Sequence, residues 1–342
     1  MNVLVTGGAG FIGRWVVKRL LDTGARVLAL DDLSNGRQEN LAALEGQAGF
    51  AGLKVGDLKD RKLLADLFAG QPWDRVFHLG ASIHVQHSID DPEVTYRNDV
   101  DGTFAVLEAC RRQYFQLNGL NPAERRFVLS EVDHRLTDRR PRLTVVSTCM
   151  VYAPAADGQG IDEGHALRPG SPYAACKIAA DHLALSYNHA YRMPVTVVRP
   201  FNTYGPFQKA DSEGGVVSVF LKRDIEGLPL LVKGSGRQTR DLLYVEDCAA
   251  FISRAGESEA VEGTIVNGGT GQDIPIRELA RLVASPSNRL EHIPHDHPQA
   301  EIARLVCDAH KARSLLGWTP VTSLAEGLIR TRRWLEDNRW AW

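Results

Sequence analysis

In the segment SPYAACK, Tyr173 and Lys177 stand four residues apart. On a helix that spacing places them one above the other on the same face. A phenol, with a pKa of about 10, is a poor base at neutral pH. An ammonium beside it favours the phenolate and lowers that value, so the pair could take a proton from a hydroxyl. The run SPYAACKIAADHLALSYNHAY reads as one helix, with Ser171 able to cap it and Pro172 suited to its first turn. Upstream, VVSTCMVYAP runs like a buried strand and ends in Ser147, Thr148, Cys149 and Met150. Thr148 could share a proton with Tyr173. A thioether transfers no proton, and a thiol does so only when its pKa is pulled down. A tyrosine and a lysine four apart are also common on solvated helix faces, so the surrounding elements must decide.

Those elements begin at the amino terminus, where NVLVTGGAGFIGRWVVKRLLDTGARVLALDDL reads as a β-α-β unit. Asn2 to Thr6 form a strand, Phe11 to Asp22 an amphipathic helix, and 26–30 a second strand. Gly7, Gly10 and Gly13 at the mouth of the helix allow a tight turn and close approach to a pyrophosphate. The helix start, at Phe11 and Ile12, offers unpaired N–H groups to its negative charge. Asp31, with Asp32 behind it and Asn35 in the following loop, ends the second strand where a ribose-binding carboxylate belongs. A carboxylate there accepts from ribose hydroxyls and repels a 2′-phosphate, so the expected cofactor is NAD and not NADP. Arg37 reads as a solvated loop charge. Further on, Asp57 could accept from the adenine amino group while Leu58 packs on the ring. Leu79, Gly80, Ala81 and Ser82 open the next strand with small residues, and Asn98 falls in the first turn of the helix RNDVDGTFAVLEACRRQ. Strands alternating with helices predict an α/β fold with a doubly wound parallel sheet.

Composition agrees with that frame. The 342 residues are 44% hydrophobic and 24% charged, within the ordinary globular range and long enough for two joined domains. The net charge of −2 argues against a nucleic acid or a membrane surface as the main partner. No apolar run approaches the ~20 residues of a membrane span. The five cysteines, Cys110, Cys149, Cys176, Cys248 and Cys307, show neither CxxC nor zinc spacing, so reduced thiols in a cytoplasmic protein are expected. His295 and His297 lack a further ligand cluster, and no metal is expected.

The motifs TGGAGFIG, GDL, HLGAS and NDVDGT, with Tyr173-x-x-x-Lys177, resemble the extended short-chain dehydrogenase/reductase family, and within it the nucleotide-sugar epimerases and dehydratases. The resemblance spans nearly the whole chain. It implies a Rossmann domain at 1–198 and about 238–266, and a smaller, interleaved sugar-nucleotide domain at 199–237 and 267–342. It also implies that Tyr173 takes the proton of a sugar hydroxyl as hydride leaves for NAD, with Lys177 activating it and bonding the nicotinamide ribose, and with Ser147 beside the cofactor. Thr148 would share the reacting proton. Asn202 and Arg240 resemble groups that hold the diphosphate of a UDP-, dTDP- or GDP-linked sugar. The helix start at Val216 and Val217 could cradle a phosphate, and His84 lies in a loop expected near the sugar. Helices at about 98–115 and 172–190 resemble those that build a four-helix homodimer interface. Asp308, Lys311, Leu316, Gly317 and Trp318 resemble a closing segment that holds the small domain together, and LLVKGSGRQTRDLLY reads as a β-hairpin.

The chain departs from the family at three places. Where dehydratases carry an acid and a base after the threonine, this chain has Cys149 and Met150. That favours 4-epimerisation, which needs only oxidation at C4, rotation of the keto sugar and return of the hydride. The alternatives are a 4,6-dehydratase with displaced acid and base, a 3,5- or 5-epimerase using Cys149 with Lys209 opposite, and a non-catalytic cofactor-binding protein. A second diphosphate arginine is absent from HDHPQAEIARLVCD, with Arg304 and His297 nearby, and this brings the scaffold closer to UDP-N-acetylhexosamine 4,6-dehydratase-like proteins. Residues 113–142 are longer than the family needs and rich in charge. They read as a solvated excursion with a helical middle, or as a subunit contact.

Overall fold

Seven parallel strands form the large sheet: β1 (Asn2–Thr6), β2 (Arg26–Asp31), β3 (Phe50–Val55), β4 (Arg75–His78), β5 (Arg142–Val146), β6 (Val195–Pro200) and, late in the chain, β10 (Ile265–Gly268). The computed structural model describes residues 1–123, 127–210 and 215–341. The strand order is β10-β6-β5-β4-β1-β2-β3, so the winding reverses between β1 and β4 and opens a crevice at the strands' carboxyl ends. Central strands covered on both faces are buried along their length; VTVVRP of β6 is wholly buried, its Arg199 paired with Asp181. The expected α/β doubly wound Rossmann fold with a smaller carboxyl-terminal part is what the chain adopts.

The smaller part holds two sheets. Strand β9 (Thr239–Tyr244) pairs with β7 (Asn202–Tyr204), β11 (Asp273–Pro275) and β13 (Arg304–Leu305). Strand β8 (Leu230–Lys233) pairs in parallel with β12 (Leu290–Ile293). The β8–β9 hairpin read from the sequence therefore does not form. Gly234 and Gly236, with φ of 61° and 65°, turn the chain between them, and each strand finds its partner elsewhere. The closing segment also differs from expectation. Trp318 and Ala312 join the core that contains Val3 and Val5, Trp318 packs on Phe251 at 5.0 Å, and Lys311 donates to the Ile265 carbonyl of β10 at 2.6 Å. That segment docks on the large sheet.

The helix carrying Asn98 starts earlier than its pattern suggests. Asp91 caps Pro92–Tyr96 by accepting from the Val94 N–H, and the chain passes through a π-turn, Arg97–Asp101, into Gly102–Leu117. The insertion is anchored more firmly than a solvated excursion. Phe127 stacks on Phe115 at 5.1 Å, Leu136 is buried, and Arg139 pairs with Glu262 at 2.7 Å. Its helix is a single turn, Leu129–Val132, and Glu124, Arg125 and Arg126 lie outside the described residues. Among the described residues no helix is long and apolar enough to cross a membrane, and all five cysteines are buried and unpaired as disulfides.

Candidate active site

A cavity of about 1080 Å³ runs along the crevice from the glycine loop to the smaller sheets. Every residue expected to contact cofactor or sugar nucleotide lines it, except Val217. The Val217 side chain is fully buried in the core of the smaller part, so only its backbone at the start of Val216–Ile225 could face a phosphate. Gly215 precedes that helix without a side-chain cap, so among the described residues no capping side chain competes with an anion for its first N–H groups.

The cofactor end fits NAD. Gly7 has φ of +68°, and a Cβ on Gly13 would lie 2.0 Å from the Gly7 carbonyl oxygen, so the loop closes only with glycine. Asp31 Oδ2 accepts from the Ala9 N–H at 3.0 Å and Oδ1 from the Leu33 N–H at 2.9 Å, which ties the end of β2 to the phosphate loop. Burial pushes this carboxyl upward, and the two backbone N–H groups oppose that rise. Asp57 pairs with Lys59 at 2.9 Å, and Lys59 donates to Asn98 Oδ1 at 2.6 Å. Asn98 in turn donates to Ser82 Oγ at 3.0 Å. These contacts fix the floor on which adenine and ribose would rest.

The reactive end is built where β5 stops above the helix Pro172–Tyr191. Ser171 caps that helix by accepting from the Ala174 N–H, and Tyr173 and Lys177 are both buried. Thr148 accepts from the Met150 N–H at 3.2 Å. Burial raises the Tyr173 phenol's pKa, the Lys177 ammonium pulls it back, Asp99 adds to the rise, and the Thr148 hydroxyl opposes it. Burial works against the Lys177 charge, but Asp99, Tyr173 and Asp181 outweigh it and hold the ammonium above the ordinary lysine range. The Ser147 hydroxyl donates to Asp181 at 2.9 Å. Asp181 also pairs with Arg199 at 2.8 Å, with both side chains 1% exposed.

Cys149 and Met150 stand beside this centre. Cys149 is 2% exposed, and its S–H points to Asn202 Oδ1 at 3.9 Å. Burial pushes the thiol up to about 12, with Arg240 only partly pulling it back. Met150 packs with Tyr173, Val85 and Ala300. The ammonium of Lys209, the group expected opposite the thiol, donates to Asn35 Oδ1 at 3.2 Å, at the cofactor loop.

At the sugar-nucleotide end, Arg240 donates to the carbonyls of Thr239 and Ile302 and pairs with Glu301, which also bonds His295. Arg304 is turned away onto Asp273 at 3.0 Å and does not replace the absent arginine. His297 reaches across to Gln86 Oε1 at 3.0 Å, and His84 lines the cavity just before Val85–Asp90. No group of three or more metal-ligating side chains occurs among the described residues. Asp99, Asp181, Arg199 and Glu301 are the site residues that sequence reasoning missed. Asp181 follows Tyr173 and Lys177 on the same helix stripe, so helix spacing could have found it.

Residues 3–269 match the NAD dependent epimerase/dehydratase family. The chain belongs to that family. It is 35% identical to the UDP-glucose 4-epimerase of Mycolicibacterium smegmatis, covering 97% of each chain. It is 32% identical to the dTDP-glucose 4,6-dehydratase of Neisseria gonorrhoeae, covering 99% of this chain and 96% of the relative. Among solved structures it resembles Pal from Bacillus thuringiensis, with 45% identity, a TM-score of 0.88, and coverage of 98% of this chain and 99% of that one. Membership of the family makes the protein an NAD-dependent enzyme of the epimerase/dehydratase group.

Proposed function

We propose that the protein is a nucleotide-diphosphate-sugar 4-epimerase working through a transient 4-keto sugar. The observation that carries this is the pair after Thr148. Eliminating water across C5 and C6 asks for a base and an acid near those carbons. Here the two positions hold a buried thiol pushed up to about 12 and a thioether. What the site does hold is the set that oxidation at C4 requires.

NAD, when bound, supplies the hydride acceptor and returns the hydride. The glycine loop and Asp31 hold its diphosphate and ribose. Tyr173 takes the proton of the 4-hydroxyl and gives it back, Thr148 shares that proton, and Lys177 supplies the charge that makes the phenol able to part with its own. Asn202, Arg240 and the start of the helix Val216–Ile225 hold the sugar nucleotide's diphosphate. Two bonds to backbone carbonyls fix Arg240 in the cavity wall, so its orientation does not depend on the ligand. We also propose that the enzyme acts as a homodimer through the outer faces of Gly102–Leu117 and Pro172–Tyr191, where Ala175, Ala179 and His182 are exposed.

The deciding experiment incubates the protein with UDP-, dTDP- and GDP-hexoses in heavy water. The expected product is a C4 epimer with no deuterium at C3 or C5. Loss of water would establish a dehydratase instead, and deuterium at C3 or C5 would establish proton transfer at carbon. Tyr173→Phe is expected to lower turnover by about 10²–10⁴-fold.

A further inference from the structure

Asp99 sits in the π-turn Arg97–Asp101, where one wider turn directs its side chain beneath the helix that carries Tyr173 and Lys177. The side chain is fully buried, at 0% exposure, and Oδ2 lies 3.6 Å from Lys177 Nζ. Oδ1 accepts from the Ser82 N–H at 2.6 Å, whereas Oδ2 has no hydrogen-bond partner among the described residues. A carboxylate in such a place is sustained by the charge opposite it.

The other groups around the pair come from its own helix, from β4 and from the end of β5; the buried residues of Val85–Asp90, Pro92–Tyr96 and Gly102–Leu117, which also pack on that helix, carry no charge. On the same helix stand Tyr173, Cys176 and Asp181, and Asp181 is already engaged by Arg199 and Ser147. From β4 comes His78, lodged between Thr6 and Thr103 and kept neutral by burial, which pulls it down to about 3. From the end of β5 come Thr148 and Cys149, neither of them charged at neutral pH. Among these groups, Asp99 is the anion that answers Lys177 without being paired to an arginine.

We propose that Asp99 is a positioning residue that governs when Tyr173 releases and recovers its proton, by balancing the Lys177 ammonium until a further positive charge enters the site. The inference rests on the 4-epimerase reading, because that reaction uses one phenol twice. The proton of the 4-hydroxyl passes to Tyr173 Oη as C4 becomes a ketone. It returns to the 4-oxygen as the C4–H bond re-forms, with no net gain of protons or electrons. Beside an unbalanced ammonium the phenol would stay ionised even after the nicotinamide is reduced, and would hold only weakly the proton it must later return. With Asp99 in place the pull of the ammonium is partly offset. The positive charge of the oxidised nicotinamide then tips the phenol toward release, and its disappearance on reduction tips the phenol back.

Asp99→Asn preserves the shape and the acceptor for Ser82 but removes the charge. Ultraviolet difference titration, with Tyr173→Phe in the same background subtracted, reads the phenol directly and needs no sugar. It therefore judges Asp99 whichever reaction the heavy-water assay reveals. The first proton of the Tyr173–Lys177 pair should leave about 1–3 pH units lower in the variant, without NAD as well as with it. The acid limb of kcat/KM should move down with it, and borohydride should trap more 4-keto sugar at alkaline pH than in the wild type. Asp99→Glu should restore the wild-type titration. If Asp99→Asn does not fold, Asp99→Ser carries the same test. A midpoint that stays in place or rises in the neutral variant, or an equal shift in Asp99→Glu, overturns the proposal.

Discussion

Cys149 shows how a reactive residue type can be disarmed by its surroundings. A thiolate is favoured by exposure and nearby positive charge. This thiol is buried, faces an amide oxygen, and has Asp241 near enough to oppose its ionisation as well. Cys149→Ala should therefore leave kcat/KM within a few-fold of wild type and cost about 1 kcal/mol of stability through lost packing. Steady-state kinetics checks the first figure and urea unfolding the second. A loss of about 100-fold or more would return the thiol to proton transfer. Tyr173 and Lys177 were legible because helix spacing is a local property of the chain. Asp99 was not, although it is next to Asn98. Its meeting with Lys177 depends on a π-turn and on two helices packing together, and neither leaves a local pattern in the sequence.

Among the elements, the β-α alternation and the glycine loop were legible because each βα unit carries its own apolar period and turn residues. Strands β8 and β9 were misread because a glycine turn between two apolar runs looks the same whether the strands pair with each other or part. Their actual partners lie far along the chain. What holds the helices of the smaller part together is also non-local. Asp224, 6% exposed, accepts from the Ser285 N–H and Asn288 Nδ2, both at 2.8 Å, and pairs with Arg332. It thereby joins the helix Val216–Ile225 to the end of Ile276–Val283 and to Leu324–Asp337. Burial alone would raise this carboxyl, but the donors outweigh it and hold the value down to about 2. The unfolded value is about 3.9, so the folded state binds this proton less readily. The contribution is therefore present above about pH 4 and lost as the pH falls toward about 2. It amounts to about 2–3 kcal/mol. Asp224→Asn should lower stability by that much at neutral pH, and the gap from wild type in urea unfolding should narrow as the pH drops through this window. A gap that does not change with pH would show that the carboxylate's charge is not what binds the helices.

At the scale of the molecule, the helices Gly102–Leu117 and Pro172–Tyr191 hold the reactive groups on one side and, in the proposed homodimer, a second copy on the other. Their inner faces are joined by Tyr187 donating to Glu108 at 2.7 Å. The insertion closes one end of the pair, with Phe127 edge-on to Tyr191 at 5.3 Å. The outer face of the second helix exposes Ala175, Ala179, His182 and Ser186, and the two alanines and the serine are small enough for another helix to approach closely. A two-fold axis there would make every contact occur twice, so one substitution acts twice. Light scattering should find particles of two 37.7 kDa chains. Ala179→Arg should give single chains, because a long charged side chain would enter the contact twice where close apolar packing is needed, while circular dichroism stays unchanged. Wild-type protein that scatters as a single chain at micromolar concentration would remove the homodimer, and the helix pair would then serve only to position Tyr173, Lys177 and Asp99.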